Sequence, residues 1–207
     1  MILNNREVSS IFKDRKGKSI REYKKSAVVI PLIEIEGKTN LIFEVRSLKL
    51  RRQPGDICFP GGKVEKEENY KEAAARELEE ELLLKEEDFN IVGEMDYFIS
   101  PYGSEIHCFV AELNKKPDSY NSDEVDHIFY VPLQYLMENE PQCYTVKVGP
   151  QFQEDFPFHL IRGGKEYKFA STTLNQYFYR YKQYTIWGVT AQLVKRFTDI
   201  IKEEKGE

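Results

Sequence analysis

The 207-residue sequence is short of cysteine, histidine and long apolar runs, and each shortage removes a class of protein. Cysteine occurs three times, at Cys58, Cys108 and Cys143, an odd number with no C-x-x-C spacing. That argues against a disulfide framework or a zinc site and fits a reducing compartment. His107, His127 and His159 are scattered without ligand spacing and are expected to be structural. No apolar run approaches the ~18 residues that would span a bilayer, and the start, MILNNREVSSIFKDRKGK, is too polar for a signal peptide. A G-x-S-x-G elbow is missing, and GGK at 61–63 and at 163–165 lacks the flanks of a phosphate-binding loop. Positive charge is in deficit. A net charge of −5 gives no general attraction for nucleic acid, so any polyanion must be caught locally or through a metal. The expectation is a soluble cytoplasmic protein with neither a membrane nor a nucleic-acid partner.

What is present fits one α/β domain. Hydrophobic residues make up 41% and aromatics 13%, enough for a sizeable core. Neither a repeat nor a Pro/Gly/Ser linker divides the chain, so a polar, helical lead-in over 1–25 and a single domain over 26–207 are expected. The β-branched run Ala27–Ile35 reads as a buried strand, Gly37 as a turn and Leu41–Val45 as its hairpin partner. Residues 46–69 read as a structured loop and Lys71–Leu82 as a helix. Strands are expected near Ile91–Ile99, Ile106–Leu113 and His127–Val131, and a short helix over Pro132–Met137. An aromatic-rich β segment over Tyr144–Phe169 and a last helix from about Ile186 to Ile201 complete the pattern of strands around a few helices, which is that of an α/β sandwich.

The helix carries the chemistry. Glu77, Glu80 and Glu81 are spaced i, i+3, i+4 and so share a face, expected to lie opposite the Ala74/Leu78/Leu82 stripe. Three like charges there repel unless something positive sits among them, and a hard divalent cation such as Mg²⁺ or Mn²⁺ suits an oxygen-only donor set. Arg76 lies one turn from both Glu72 and Glu80 and can orient a carboxylate, whereas Glu79 points elsewhere. The bland alternative is a solvated acidic face.

The wider spacing decides between them. Gly62, Glu68, Arg76, Glu77, Leu78, Glu80, Glu81 and Leu84 fill the slots of a pattern that resembles the Nudix box. Six such identities coincide by chance on the order of once in 10⁷ positions at average residue frequencies. The resemblance implies a Nudix-type α/β/α sandwich with a mixed β-sheet and a metal-dependent diphosphate hydrolase. It implies Glu77, Glu80 and Glu81 as metal ligands, Glu68 and Arg76 in support, and the carbonyl of Gly61 as a further ligand. Glu80, Glu81 or the distal Glu124 would take the proton of the attacking water. One slot departs: Leu83 stands where the box has its second glycine, so the left-handed helix exit carries a side chain.

The loop in front narrows the substrate. Arg46, Lys49, Arg51 and Arg52 lie in VRSLKLRR with no acid among them, and arginines there can grip phosphates. Arg51, Gly55 and Phe59-Pro60-Gly61-Gly62 resemble the motif ahead of the box in the coenzyme A pyrophosphatase branch, with Ser47 in its small-residue slot. That motif has threonines where this chain has Glu44 and Arg46. Ile186–Ala191 also resembles the segment that opens the branch's last helix. The implied reaction is hydrolysis of coenzyme A, or its acyl or oxidised forms, to 3′,5′-ADP and a 4′-phosphopantetheine, with Arg46, Arg51, Arg52, Gly55 and Phe59 at the substrate. ADP-ribose, dinucleoside polyphosphates or oxidised nucleotides remain alternatives, as does a non-catalytic binding module. Tyr177, Phe178, Tyr179, Tyr181 and Tyr184 can stack a base, fill the core or form a homodimer interface. Cys58 is expected to be a buried thiol.

Overall fold

Alternation along the first strands sets the architecture. In the computed structural model, which describes residues 4–206, strand β1 (Lys24–Ile35) turns through Glu36 and Gly37, both at positive φ, into β2 (Lys38–Arg46). Ala27, Val29 and Ile33 point to one side of the sheet and Ile30 to the other. Along β2, Leu41 and Phe43 share the side of Ile30, and Ile42 that of Val29. A sheet that is apolar on both faces has to be covered on both.

The remaining elements follow in order: β3 (Ile57–Cys58), β4 (Gly61–Lys63), α2 (Tyr70–Leu82), β5 (Phe89–Ile99), β6 (Ser104–Leu113), β7 (Val125–Pro132), α3 (Leu133–Glu138), β8 (Gln142–Val148), β9 (Thr172–Tyr181), β10 (Tyr184–Ile186) and α4 (Gly188–Lys205); a short helix, α1 (Asn5–Phe12), precedes β1. A seven-stranded mixed sheet runs β3-β2-β1-β6-β5, with β4 on β1 and β7 on β2. The β1–β6 pair is parallel and its neighbours are antiparallel. Helix α2 covers one face through Ala73, Ala74, Leu78 and Leu82, and α4 covers the other through Leu193, Val194 and Phe197. The chain is therefore a mixed α/β layered fold. Among the described residues, no helix is long and apolar enough to cross a membrane.

Two expectations are corrected here. The region 144–169 is not a continuous β segment. Only β8 lies in it, and 149–171 form a loop in which Phe152, Phe156, Phe158 and Phe169 pack on one another, with ring centroids 4.5–6.3 Å apart. Aromatic content favours strands, yet Pro150, Pro157, Gly163 and Gly164 punctuate this stretch. The strands instead come later, as β9 and β10, which form a small antiparallel sheet with β8. The helix of the lead-in is shorter than 1–25: α1 ends at Phe12, and residues 1–3 lie outside the described range.

Candidate active site

Helix α2 starts where Asn69 accepts from the Glu72 N–H at 3.0 Å and Glu72 returns a bond to the Asn69 N–H at 2.9 Å. This capping box fixes the first turn and with it the phase of every side chain that follows. Buried residues then fall in two adjacent rows, Ala73/Glu77/Glu81 and Ala74/Leu78/Leu82. The glutamates do not lie opposite the apolar stripe, as the wheel alone implies. Glu77 and Glu81 are buried beside it, under β4, and only Glu80 of the three is exposed.

Arg76 organises the acids. Its Nε and Nη2 bond both oxygens of Glu68 at 2.9 and 3.2 Å, its Nη1 reaches Glu77 at 2.8 Å and Glu80 at 3.2 Å, and Nη2 also donates to the Lys63 carbonyl at 3.1 Å. A planar guanidinium serves this many acceptors where an ammonium does not. The bond from Arg76 holds Glu68 below the usual carboxylate range. Glu77 is pushed up, because burial outweighs the same arginine. Glu72, the other neighbour expected for Arg76, is occupied with the cap.

Glu81 is the most perturbed acid of the helix that keeps a donor. Its Oε2 accepts from the Gly61 N–H at 2.8 Å, yet burial, with Glu77 and Glu124 also opposing its charge, pushes it up to about 8. Facing it is Glu44 of β2, only 1% exposed and raised by burial and then by the Glu81 charge. Oε1 of Glu44 is buried without a hydrogen-bond partner. Glu124 is delivered by tertiary contacts: the Glu81 carbonyl accepts from the Asn121 N–H at 2.9 Å, and the Glu124 carbonyl from the Ser47 N–H at 2.8 Å.

Both glycines of the preceding turn are needed for this packing. A Cβ on Gly61 would strike Val28 and the Ala27 carbonyl, and one on Gly62 would strike the Glu77 carboxylate. Leu83 does adopt the left-handed exit, at φ 50°, with its side chain exposed.

The donor chemistry fits a hard divalent cation. Carboxylates of Glu77, Glu80, Glu81 and Glu44 and the Gly61 carbonyl are oxygen donors, and burying several uncompensated carboxylates is costly without positive charge among them. Among the described residues, no three His, Cys, Asp or Glu side chains are already gathered into a cation site. Arg76 instead pairs with Glu77 and Glu80.

A cavity of about 980 Å³ opens between the large sheet, the β8–β9–β10 sheet and the start of α4, with Gly61 and Gly62 on its wall. Arg46 lines it, and its Nε is buried without a partner. Phe178 and Trp187, also on the wall, hold their rings parallel within 5° at a centroid separation of 6.2 Å. Thr190 Oγ1 donates to the Ile57 carbonyl at 3.0 Å and ties α4 to β3.

The other expected residues are placed differently. Arg51 and Arg52 are exposed on the loop and off the cavity wall, and Lys49 pairs with Asp123 at 3.4 Å. Gly55 supplies a turn at φ 76° whose N–H donates to the Arg46 carbonyl at 3.0 Å. Phe59 lines the cavity but is 3% exposed and stacked on Phe43 at 4.6 Å. Cys58, expected to be buried, is only half-buried and sits on the cavity wall, and desolvation pushes its thiol pKa up. Tyr177 and Phe178 face the cavity, Tyr179 is core, Tyr181 packs on Tyr135, and Tyr184 stacks on Phe129. Glu44 and Trp187 were not singled out as site residues from the sequence. The available signal for Glu44 was a lone acid inside the apolar strand Leu41–Val45.

Comparison with known proteins agrees with this geometry. The family described as NUDIX domain matches residues 23–146. The chain is 34% identical over 182 residues to the peroxisomal coenzyme A diphosphatase NUDT7 of Mus musculus, covering 87% of this chain and 71% of that protein. It is 37% identical over 119 residues to the peroxisomal coenzyme A diphosphatase ndx-8 of Caenorhabditis elegans, covering 55% of this chain and 51% of that one. With the mitochondrial coenzyme A diphosphatase NUDT8 of Homo sapiens it shares 28% identity over 175 residues, covering 82% and 66%. A solved MutT/nudix family protein from Enterococcus faecalis superposes with a TM-score of 0.51 at 10% identity, over 97% of this chain and 70% of that one, a likeness of fold.

Proposed function

The chain belongs to the Nudix hydrolase family, and from that membership we propose that it hydrolyses the diphosphate bond of coenzyme A or its derivatives to 3′,5′-ADP and 4′-phosphopantetheine or its acyl form. One observation carries the reading: a cavity lined by Arg46 also has on its wall Gly61 and Gly62, against which Glu81 and Glu77 are packed. A long, strongly anionic nucleotide conjugate needs a cation for its phosphates, a planar surface for its base and room for its tail. Arg46 offers an unpaired, buried Nε, Phe178 and Trp187 offer parallel faces, and the rest of the cavity accommodates the pantetheine arm. Exposed Arg51 and Arg52 meet the outer phosphate, while Gly55 and Phe59 shape the loop.

Family members require a divalent cation; in our reading it is Mg²⁺ or Mn²⁺, held by Glu77, Glu80, Glu81 and the Gly61 carbonyl. When bound, it neutralises the diphosphate and lowers the pKa of an attacking water. Glu68 holds Arg76, and Arg76 holds Glu77 and Glu80 in line. Glu80, Glu81 or Glu124 takes the water's proton, and the Gly61 N–H orients Glu81. The three thiols, free among the described residues, fit a reducing compartment, for which we propose the cytoplasm; the relatives are named for peroxisomes and mitochondria.

Parallel aromatic faces and an arginine also suit ADP-ribose or a dinucleoside polyphosphate. Incubation with Mg²⁺ or Mn²⁺ and, in parallel, coenzyme A, ADP-ribose, diadenosine polyphosphates and 8-oxo-dGTP separates the readings by their products. We expect 3′,5′-ADP from coenzyme A and little turnover of the others. Turnover of ADP-ribose alone would reassign the substrate, and turnover of none would make the chain a binding module.

A further inference from the structure

Glu44 is out of place by every local rule. It sits in the middle of β2, between Phe43 and Val45, paired with Cys58 of β3 on one side and Ile128 of β7 on the other. It is 1% exposed, and one of its oxygens has no hydrogen-bond partner. Its other contacts are chemically pointed. The carboxyl faces Glu81 of α2, with the Glu124 and Arg46 charges nearby. An apolar residue of similar volume would pack here without that cost. A buried acid aimed at another buried acid, with an unclaimed oxygen, has the form of an incomplete coordination set rather than an ion pair.

We propose that Glu44 is a further ligand of the divalent-cation site, so that the site reaches across from α2 to β2 and holds a cation between Glu44 and Glu81. The proposal rests on the reading of α2 as cation-binding. The cation is of the hard, oxygen-seeking class, because the donors that Glu44 and Glu81 offer are carboxylate oxygens. Arg46 is the competing partner. In that role it would pair with Glu44 permanently and leave no ligand, but its own Nε is buried and unpaired, so the two groups do not satisfy each other fully.

Binding of Mn²⁺ to the metal-stripped full chain, followed by electron paramagnetic resonance of the free ion and by calorimetry, tests this without any substrate. Glu44→Gln keeps the shape and removes a charged oxygen; Glu44→Asp keeps the charge and withdraws it by one methylene. Glu81→Gln serves as the reference for the α2 site, and circular dichroism checks the fold. We expect Mn²⁺ affinity to fall tenfold or more in both Glu44 variants. Wild-type affinity in Glu44→Asp together with loss in Glu44→Gln would mean a charge effect only and would overturn the ligand assignment. Unchanged affinity in Glu44→Gln alongside loss in Glu81→Gln would overturn it too, leaving the α2 reading intact. Unchanged affinity in all three variants would remove the α2 reading itself. Should Glu44→Gln not fold, Glu44→Thr, with its small hydroxyl, takes its place in the same titration.

Discussion

Gly61 and Gly62 are adjacent and chemically identical, yet a methyl group on each meets a different obstacle. On Gly61 it meets backbone and the Val28 side chain, which cannot move without displacing β1. Gly61→Ala should therefore destabilise the fold by about 1–3 kcal/mol, as overpacking does, visible as a lower Tm. On Gly62 it meets only the end of the Glu77 side chain. That end can swing away, so Gly62→Ala should keep Tm within a few degrees while turnover falls on the order of 10²-fold, the usual effect of misplacing a reacting group by an ångström. Equal losses of stability in the two variants would contradict this division. Leu83 presents the reverse case, a side chain where none is wanted. Its left-handed conformation costs roughly 1–2 kcal/mol, from which glycine's extra unfolded-state entropy of about 0.5–1 is subtracted. Leu83→Gly should raise Tm by about 1–4 °C, and since more than half of the side chain is exposed little packing is lost with it. A fall in Tm would show that Leu83 contributes contacts.

At the scale of elements, α2 does two jobs with adjacent rows of one face. Ala74, Leu78 and Leu82 bury against the sheet, and Glu77 and Glu81 ride beside them under β4. The arrangement is anchored twice, by the Asn69–Glu72 box at the first turn and by the Arg76 bonds to Glu68, Glu77 and Glu80. Asn69→Ala should cost about 1 kcal/mol, measurable by thermal or urea denaturation, with Mn²⁺ affinity nearly unchanged because Arg76 still anchors the acids from Glu68. The period of the helix and the Arg76–Glu80 pair were legible in the sequence, because each depends on residues one turn apart; the Asn69–Glu72 cap, equally local, emerged only in the structure. The β1–β2 hairpin was legible for the same reason: Gly37 marks a turn between two apolar runs. The small β8–β9–β10 sheet was not. Its first strand, β8, is separated from β9 by 23 residues whose own aromatics mimic a strand, so local composition pointed to the wrong segment.

The whole molecule adds the cavity. It exists only because α4 and the small sheet stand off from the large one, with Thr190 bridging to Ile57. Trp187, exposed at the junction of β10 and α4, gains its meaning there, as one of two parallel aromatic faces. Base–aromatic stacking is worth about 1–3 kcal/mol. Trp187→Ala should therefore raise KM for coenzyme A by about tenfold and leave kcat within about twofold, since a stacking contact holds the base equally in the ground and transition states. A fall in kcat at constant KM would instead give Trp187 a part in the chemistry.

By itself the sequence determined the family, the reaction and the identity of the acids on α2, because the spacing of Gly62, Glu68, Arg76, Glu77, Glu80 and Glu81 is a property of one continuous segment. It also fixed the alternation that makes the sheet apolar on both faces. Only the tertiary structure decided which acids are buried, that Glu124 is delivered to them through Asn121 and Ser47, and that Glu44 faces Glu81. Burial and electrostatic coupling arise when layers close on one another, and residues as distant as 44, 81 and 124 share no local pattern from which that closure can be read.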